Sequence, residues 1–121
     1  MASDDLVINR VHSASTETPG RSINDIRQHR LVIDEPTHLG GPGEAITPAD
    51  AFLTGVAACG AMMVQGQARE RSIPLTRIDV DLEAVRHRSD TSVFQRIEMS
   101  FRLSGPTREQ ATALVGHYKT H

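Results

Sequence analysis

Tryptophan is absent, tyrosine occurs once and phenylalanine three times, so aromatic residues are only 3% of the 121. Aromatic side chains bring the largest apolar areas to a packed interior. With a hydrophobic fraction of 38% besides, a lone chain has modest means of burying a core. That favours extra burial against a partner, most simply a second copy of the chain. Cysteine also occurs once, at Cys59. A single cysteine excludes an intrachain disulfide and a cysteine cluster for zinc, and it fits a reducing cytoplasm. Charge of one sign is missing too. The formal net charge is −2 and no run of Lys or Arg occurs, so nucleic acid and anionic membrane are poor partners. The N-terminal MASDDLVINR carries no charged-then-apolar export pattern. No repeat, low-complexity tract or linker interrupts the chain, and its length suits one domain.

What is there centres on residues 34–69, DEPTHLGGPGEAITPADAFLTGVAACGAMMVQGQAR. Thr47 is a good N-cap, and Pro48 fits the first helical position, where its missing N–H costs nothing. Asp50 places a negative charge near the positive end of the helix dipole. A helix is expected over residues 48–71, ended by Ile73-Pro74. Phe52, Val56, Cys59 and Met63 fall at steps of 4, 3 and 4, which makes one stripe, and Leu53, Ala57 and Val64 widen it. Almost nothing charged occurs between Ala51 and Gln67, so the helix is expected to be buried on nearly all sides. Its apolar part falls short of the ~20 residues that span a bilayer. Gly55, Gly60 and Gly66 each cost about 1 kcal/mol against alanine, which suggests that another backbone crosses closely.

A short first strand is expected over residues 5–13 and a second over 21–34, with a loop between. Asp34-Glu35-Pro36 opens a turn into a glycine-rich loop over 37–46. After the long helix, residues 76–86 and 92–103 alternate strictly. Ile78, Val80, Leu82 and Ala84 face one way and Asp79, Asp81 and Glu83 the other; Ile97, Met99, Phe101 and Leu103 repeat the pattern. That describes an antiparallel hairpin with one buried and one wet face. Thr107 caps a last helix whose apolar stripe is Ala111, Leu114, Val115 and Tyr118. The order is two strands, a buried helix, two strands and a helix, an α+β fold.

Cys59 has two readings. Free cysteine is among the most buried residue types and often fills space. As a reactive thiolate it needs a cation or a helix N-terminus nearby, and it lies some three turns into its helix. Arg21, Arg27, Arg30 and His38 are the candidate cations. His117 and His121, at i and i+4, share a helix face, yet no third metal ligand accompanies them. The loop Gly40-Gly41-Pro42-Gly43 lacks the phosphate-loop frame. No cofactor is implied by any motif.

Taken in order, Asp34-Glu35-Pro36, Gly40-Gly41, Thr47-Pro48 and Leu53 through Ala57-Ala58-Cys59 resemble the OsmC/Ohr family of osmotically inducible and organic hydroperoxide resistance proteins. The strand pair over 76–103 and the helix at Thr107 follow in the family's order. The resemblance implies antiparallel sheets wrapped around a long central helix in an intertwined homodimer. It implies a thiol peroxidase whose first cysteine, matching Cys59, attacks an organic hydroperoxide, with an Arg and a Glu holding the thiolate. A dithiol such as a lipoyl group completes the cycle through a second cysteine. Three departures stand out. The second cysteine is absent from these 121 residues. Ala49 occupies the position of the family glutamate, with Asp50 beside it as a stand-in. The glycine-rich loop offers Leu39 where one branch has its arginine, leaving Arg21 and Arg30. A one-cysteine peroxidase rescued by an external thiol is therefore expected. The alternatives are a non-catalytic dimer binding a small apolar or electrophilic ligand near Cys59, and a structural protein without chemistry of its own.

Overall fold

The computed structural model describes residues 5–120. They form two compact units, one ending at Ala51 and the other beginning at Phe52. The elements in order are β1 (His12–Ser15), β2 (Arg21–Ile26), β3 (His29–Asp34), α1 (Pro48–Glu70), β4 (Arg77–Val85), β5 (Arg96–Ser104) and α2 (Arg108–Thr120).

The first unit holds an antiparallel sheet in the order β1-β2-β3. Register sets His12 against Asp25 and Ser15 against Ser22, then Arg21 against Asp34 and Ile26 against His29. Two sequence expectations change here. The strand expected over 5–13 is β1, at His12–Ser15. The alternation ahead of it belongs to Leu6, Val7, Ile8 and Val11, all exposed, so no packing enforces it. The single strand expected over 21–34 is a hairpin that turns at Arg27-Gln28, with Arg27 left-handed at φ 56°. Hairpin turns usually advertise themselves with Asn or Gly, and this one does not. Asn24, 5% exposed, is buried but satisfied. Its Oδ1 accepts from Ser13 Oγ at 2.6 Å, and its Nδ2 donates to Leu31 O at 3.0 Å.

After β3 the chain makes a 3-10 turn at Thr37–Leu39, with Gly40 left-handed behind it. The loop is drawn tightly together. A Cβ added at Gly41 would lie 2.1 Å from Glu35 O, and one at Gly20 would lie 2.6 Å from the Gly41 Cα. Only glycine fits such a crossing. Gly41→Ala is expected to unfold this loop, read as lost amide-exchange protection at Asp34, whose N–H donates to Ile46 O at 2.9 Å. Thr47 then caps α1 as expected: Asp50 N donates to Thr47 Oγ1 and Thr47 N to Asp50 Oδ2, both at 3.1 Å. This is a capping box with aspartate in the glutamate position.

In the second unit, β4 and β5 pair in register from Arg77↔Ser104 to Val85↔Arg96. Their inward residues back the core, made of Val64, Ala68 and Leu114 with Ile78, Phe101, Leu103 and Tyr118 packed around it. The outward residues form a charge ladder. Arg77 bonds Asp79, Arg102 bonds Asp81, and Arg96 reaches both Glu83 and Glu98. β5 starts at Arg96, later than the expected 92, because Asp90 first makes a turn that accepts from the Ser92 N–H at 3.1 Å. α1 ends in a left-handed Ser72 at φ 54° ahead of Pro74. Thr107 caps α2, accepting at Oγ1 from Gln110 N at 3.2 Å.

The burial expected for α1 is corrected. Within the single chain only Gly60, Val64 and Ala68 are buried along it. These lie at i, i+4 and i+8 on one stripe. Phe52, Met62 and Met63 are exposed, and so is Cys59. One two-stranded sheet and one helix are too narrow to cover more than a single face. The close approach expected at the glycines occurs at Gly60, where a Cβ would meet Met99 Cε at 2.8 Å and the Tyr118 ring at 3.4 Å, while Gly55 and Gly66 have nothing within 4 Å. Among the described residues no helix is long and apolar enough to cross a membrane.

Candidate functional site

Arg21 lies at the start of β2, directly across from Asp34 at the end of β3. Register therefore makes their pairing. The guanidinium is a two-pronged donor: Nε reaches Asp34 Oδ1 at 2.8 Å and Nη2 reaches Asp34 Oδ2 at 2.9 Å. Nη2 also donates to Glu44 Oε1 at 2.8 Å. Asp34 is wholly inaccessible to solvent while Arg21 is 25% exposed. The Asp34 carboxylate further accepts from the Glu44 and Ala45 backbone N–H groups at 3.0 and 2.9 Å. Arg21 holds its carboxyl far below the usual carboxylate range, helped by those two N–H groups, while burial pulls the other way. One cation here meets two carboxylates.

Beside Arg21 a cavity of about 320 Å³ opens in the first unit, lined by Ser13, Ser15, Arg21, Ser22 and Glu35 among others. Arg30, the other expected arginine, forms a surface pair with Asp25 at 2.9 Å and is 70% exposed. Exposed pairs of this kind contribute little. Arg27 occupies the β2–β3 turn and His38 the 3-10 turn. Asp50 spends its carboxylate on the Thr47 N–H.

In the second unit Cys59 stands exposed midway along α1. Asp50 precedes it by nine residues, about half a turn out of phase and some 13 Å along the axis. Phe52 precedes it by seven residues and so shares its face. The Phe52 ring stacks on Phe94 at 6.2 Å with an interplanar angle of 13°. The Arg86 guanidinium lies over the other ring, 5.3 Å from the Phe94 centroid. Phe94 thus has both an aromatic and a cationic neighbour. Sequence reasoning did not single out Arg86 or Phe94. Both sit where the strand alternation lapses, between β4 and β5, and no periodic signal marks them. Asp34 and Glu44 were likewise missed as partners of Arg21; only the strand register reveals Asp34.

His117, considered as a metal ligand, accepts at Nε2 from the Gln67 amide at 3.1 Å, once that amide is oriented so that its oxygen faces Arg71. Its companion His121 lies outside the described residues. Among the described residues no group of three His, Cys, Asp or Glu side chains is arranged to hold a metal ion.

The sequence profile of the OsmC-like protein family matches residues 41–120. The chain belongs to the OsmC-like family. An OsmC-like protein from Mycoplasma pneumoniae superposes with a TM-score of 0.80 at 15% identity, over 95% of this chain and 82% of that one. An organic hydroperoxide resistance protein OsmC from Legionella pneumophila does so at 0.74 and 21% identity, over 95% and 84%. An organic hydroperoxide resistance protein from Elizabethkingia anophelis does so at 0.75 and 16% identity, over 95% and 83%. No curated protein matches in sequence. At these identities the structural likeness establishes the OsmC-like fold, with its two antiparallel sheets and long helix.

Proposed function

We propose that this OsmC-like protein reduces organic hydroperoxides in the cytoplasm through Cys59, as a homodimer. The observation that carries the reading is an exposed thiol on an exposed apolar helix face in a chain of this family. Two of its structural neighbours are organic hydroperoxide resistance proteins. In the first step the Cys59 thiolate attacks the outer peroxide oxygen. The S–O bond forms, the O–O bond breaks, and the alkoxide leaves with a proton as the alcohol. The resulting sulfenic acid condenses with one thiol of a dithiol of the lipoyl type, losing water. The second thiol of that reductant then attacks the mixed disulfide and returns Cys59 to its thiol. The apolar face at Phe52 and Met63 suits the organic portion of the substrate. Arg21, Arg30 and Asp50 remain the candidate helpers.

The homodimer is supported by the balance of burial. Among the described residues fourteen large hydrophobic side chains are exposed in the single chain, while the buried hydrophobic core is Val64, Ala68 and Leu114. Phe52, Met62 and Met63 are among them, all on α1, and an apolar helix left uncovered in a single chain favours cover by a second copy. Gly55 is exposed one turn before Cys59, with nothing within 4 Å of its Cβ position. In a lone chain Gly55→Ala gains about 1 kcal/mol of helix stability. In the homodimer the added methyl group is expected to hold the two helices apart and weaken self-association, measured by sedimentation at graded concentrations. A parent protein that stays monomeric at every concentration would sink the dimer, and a variant with unchanged association would remove Gly55 from its seam.

A second reading draws support from the same geometry. Arg21 is occupied by Asp34 and Glu44, and Asp50 by Thr47. With its helpers engaged, the protein binds an apolar or electrophilic ligand beside an unactivated thiol. One equivalent of cumene hydroperoxide followed by dimedone separates the two. A dimedone adduct on Cys59 within seconds supports the peroxidase. A thiol that stays unmodified while small electrophiles bind supports the second reading.

A further inference from the structure

We propose that the cavity beside Arg21 in the first unit binds a small primary alkylammonium compound, held by the Glu35 carboxylate and by the hydroxyl oxygens of Ser13 and Ser22. All three residues line it. Its volume of about 320 Å³ lies at the lower end of what small-ligand sites enclose. Most of its walls belong to β1, β2 and β3, so a paired sheet fixes their positions. The chain at Glu35 is pinned as well. Its N–H donates to Gly20 O at 2.7 Å, and its C=O accepts from Gly43 N at 3.2 Å.

Hydrogen bonding turns two of the lining hydroxyls into acceptors. Asn24 is buried, and its Nδ2 donates to Leu31 O and to Ser22 Oγ, both at 3.0 Å. The Leu31 carbonyl can only accept, which fixes the amide. Asn24 Oδ1 therefore takes the Ser13 proton, at 2.6 Å. Ser13 is left with lone pairs and no proton to offer. Ser22 receives an N–H from Asn24 and directs its own proton to Ile33 O, at 3.5 Å. It too retains a lone pair. A ligand that meets both hydroxyls has to bring donors.

Charge narrows the donor to a cation. Arg21 is committed to Asp34 and Glu44, so this corner already sets two carboxylates against one guanidinium. Glu35 adds another. It is half-buried, and no ion pair of the described residues engages it. Water satisfies the hydroxyls but leaves that charge unbalanced. A primary ammonium meets both needs, with three N–H donors and one positive charge. Ile33 and Pro48 give the same cavity apolar surface, which suits a short alkyl chain behind the nitrogen. Cys59 is not among the lining residues, so the proposal stands apart from the peroxidase reading.

The test titrates the full chain with propylammonium and follows its backbone amide signals by NMR. Saturable shifts centred on Ser13, Ser22 and Glu35 are expected. Propyltrimethylammonium carries the same charge without an N–H and should bind at least about tenfold more weakly. Glu35→Gln keeps the side-chain shape and should weaken propylammonium by about tenfold or more. Circular dichroism confirms that this variant is folded. Acetyl-Gly-Lys-Gly-amide presents the same ammonium on a peptide and should bind no more tightly than propylammonium. Four results overturn the proposal: no saturable shift at these residues, equal binding of the trimethylated ligand, undiminished binding by folded Glu35→Gln, or preference for the peptide. Because the readout is binding, none of them bears on turnover at Cys59.

Discussion

Cys59→Ser is expected to lower the consumption of cumene hydroperoxide, with dihydrolipoamide as reductant, by roughly a hundredfold or more. The size of the effect follows from chemistry. A serine hydroxyl is a far weaker nucleophile toward peroxide oxygen, and it has no sulfenate level through which the oxidising equivalents can pass. The fold should not respond, because Cys59 is exposed and takes no part in the core formed by Val64, Ala68 and Leu114. An unchanged thermal transition with lost turnover is therefore the expected pair of results. Turnover equal to that of the parent protein would remove Cys59 from the chemistry altogether.

The largest loss of stability is expected from Arg21→Ala. It strips Asp34 of its two-pronged partner while the carboxylate stays inaccessible to solvent. Removing one half of a buried pair leaves the other half uncompensated, and a fall in Tm of roughly ten degrees or more should follow. Arg21→Lys should recover only part of this, since an ammonium cannot grip both carboxylate oxygens. Asp34→Asn in the Arg21→Ala background tests the cause. With the charge gone, much of the lost stability should return. The same pair sets an acid limit. The folded-state pKa of Asp34 is depressed below its unfolded value. Its contribution is therefore complete above the ordinary carboxylate pKa of about 4. It is lost as pH falls from there toward the lower folded value. Thermal melts of the parent should steepen in their pH dependence below about pH 4, and those of Arg21→Ala should steepen less.

How much could be read in advance varied with the kind of signal. The β4–β5 hairpin was legible because one face is wet and the other packed, so every second residue reports its side. α1 was legible from Thr47-Pro48, and the capping bonds at Thr47 and Asp50 follow that expectation. The β2–β3 turn was not, because Arg27 adopts its left-handed backbone without the glycine or asparagine that usually announces one. Burial of α1 was overestimated for a single chain. An apolar composition states that a helix face will be covered, not which molecule covers it. In the candidate site, Cys59 stood out by being single. The partner of Arg21 did not, since Asp34 lies thirteen residues away and only the register of two strands brings them opposite. The contacts of Phe94 with Phe52 and Arg86 depend on a turn between strands whose path no periodicity encodes.

The ladder on the outer face of β4 and β5 sets Arg77, Arg96 and Arg102 among Asp79, Asp81, Glu83 and Glu98. With the signs interleaved, the far field of that face nearly cancels. A charged molecule meeting this side of the protein gains no long-range pull, so its encounter rate should hardly change with added salt. Selection on this face has to act at contact distance.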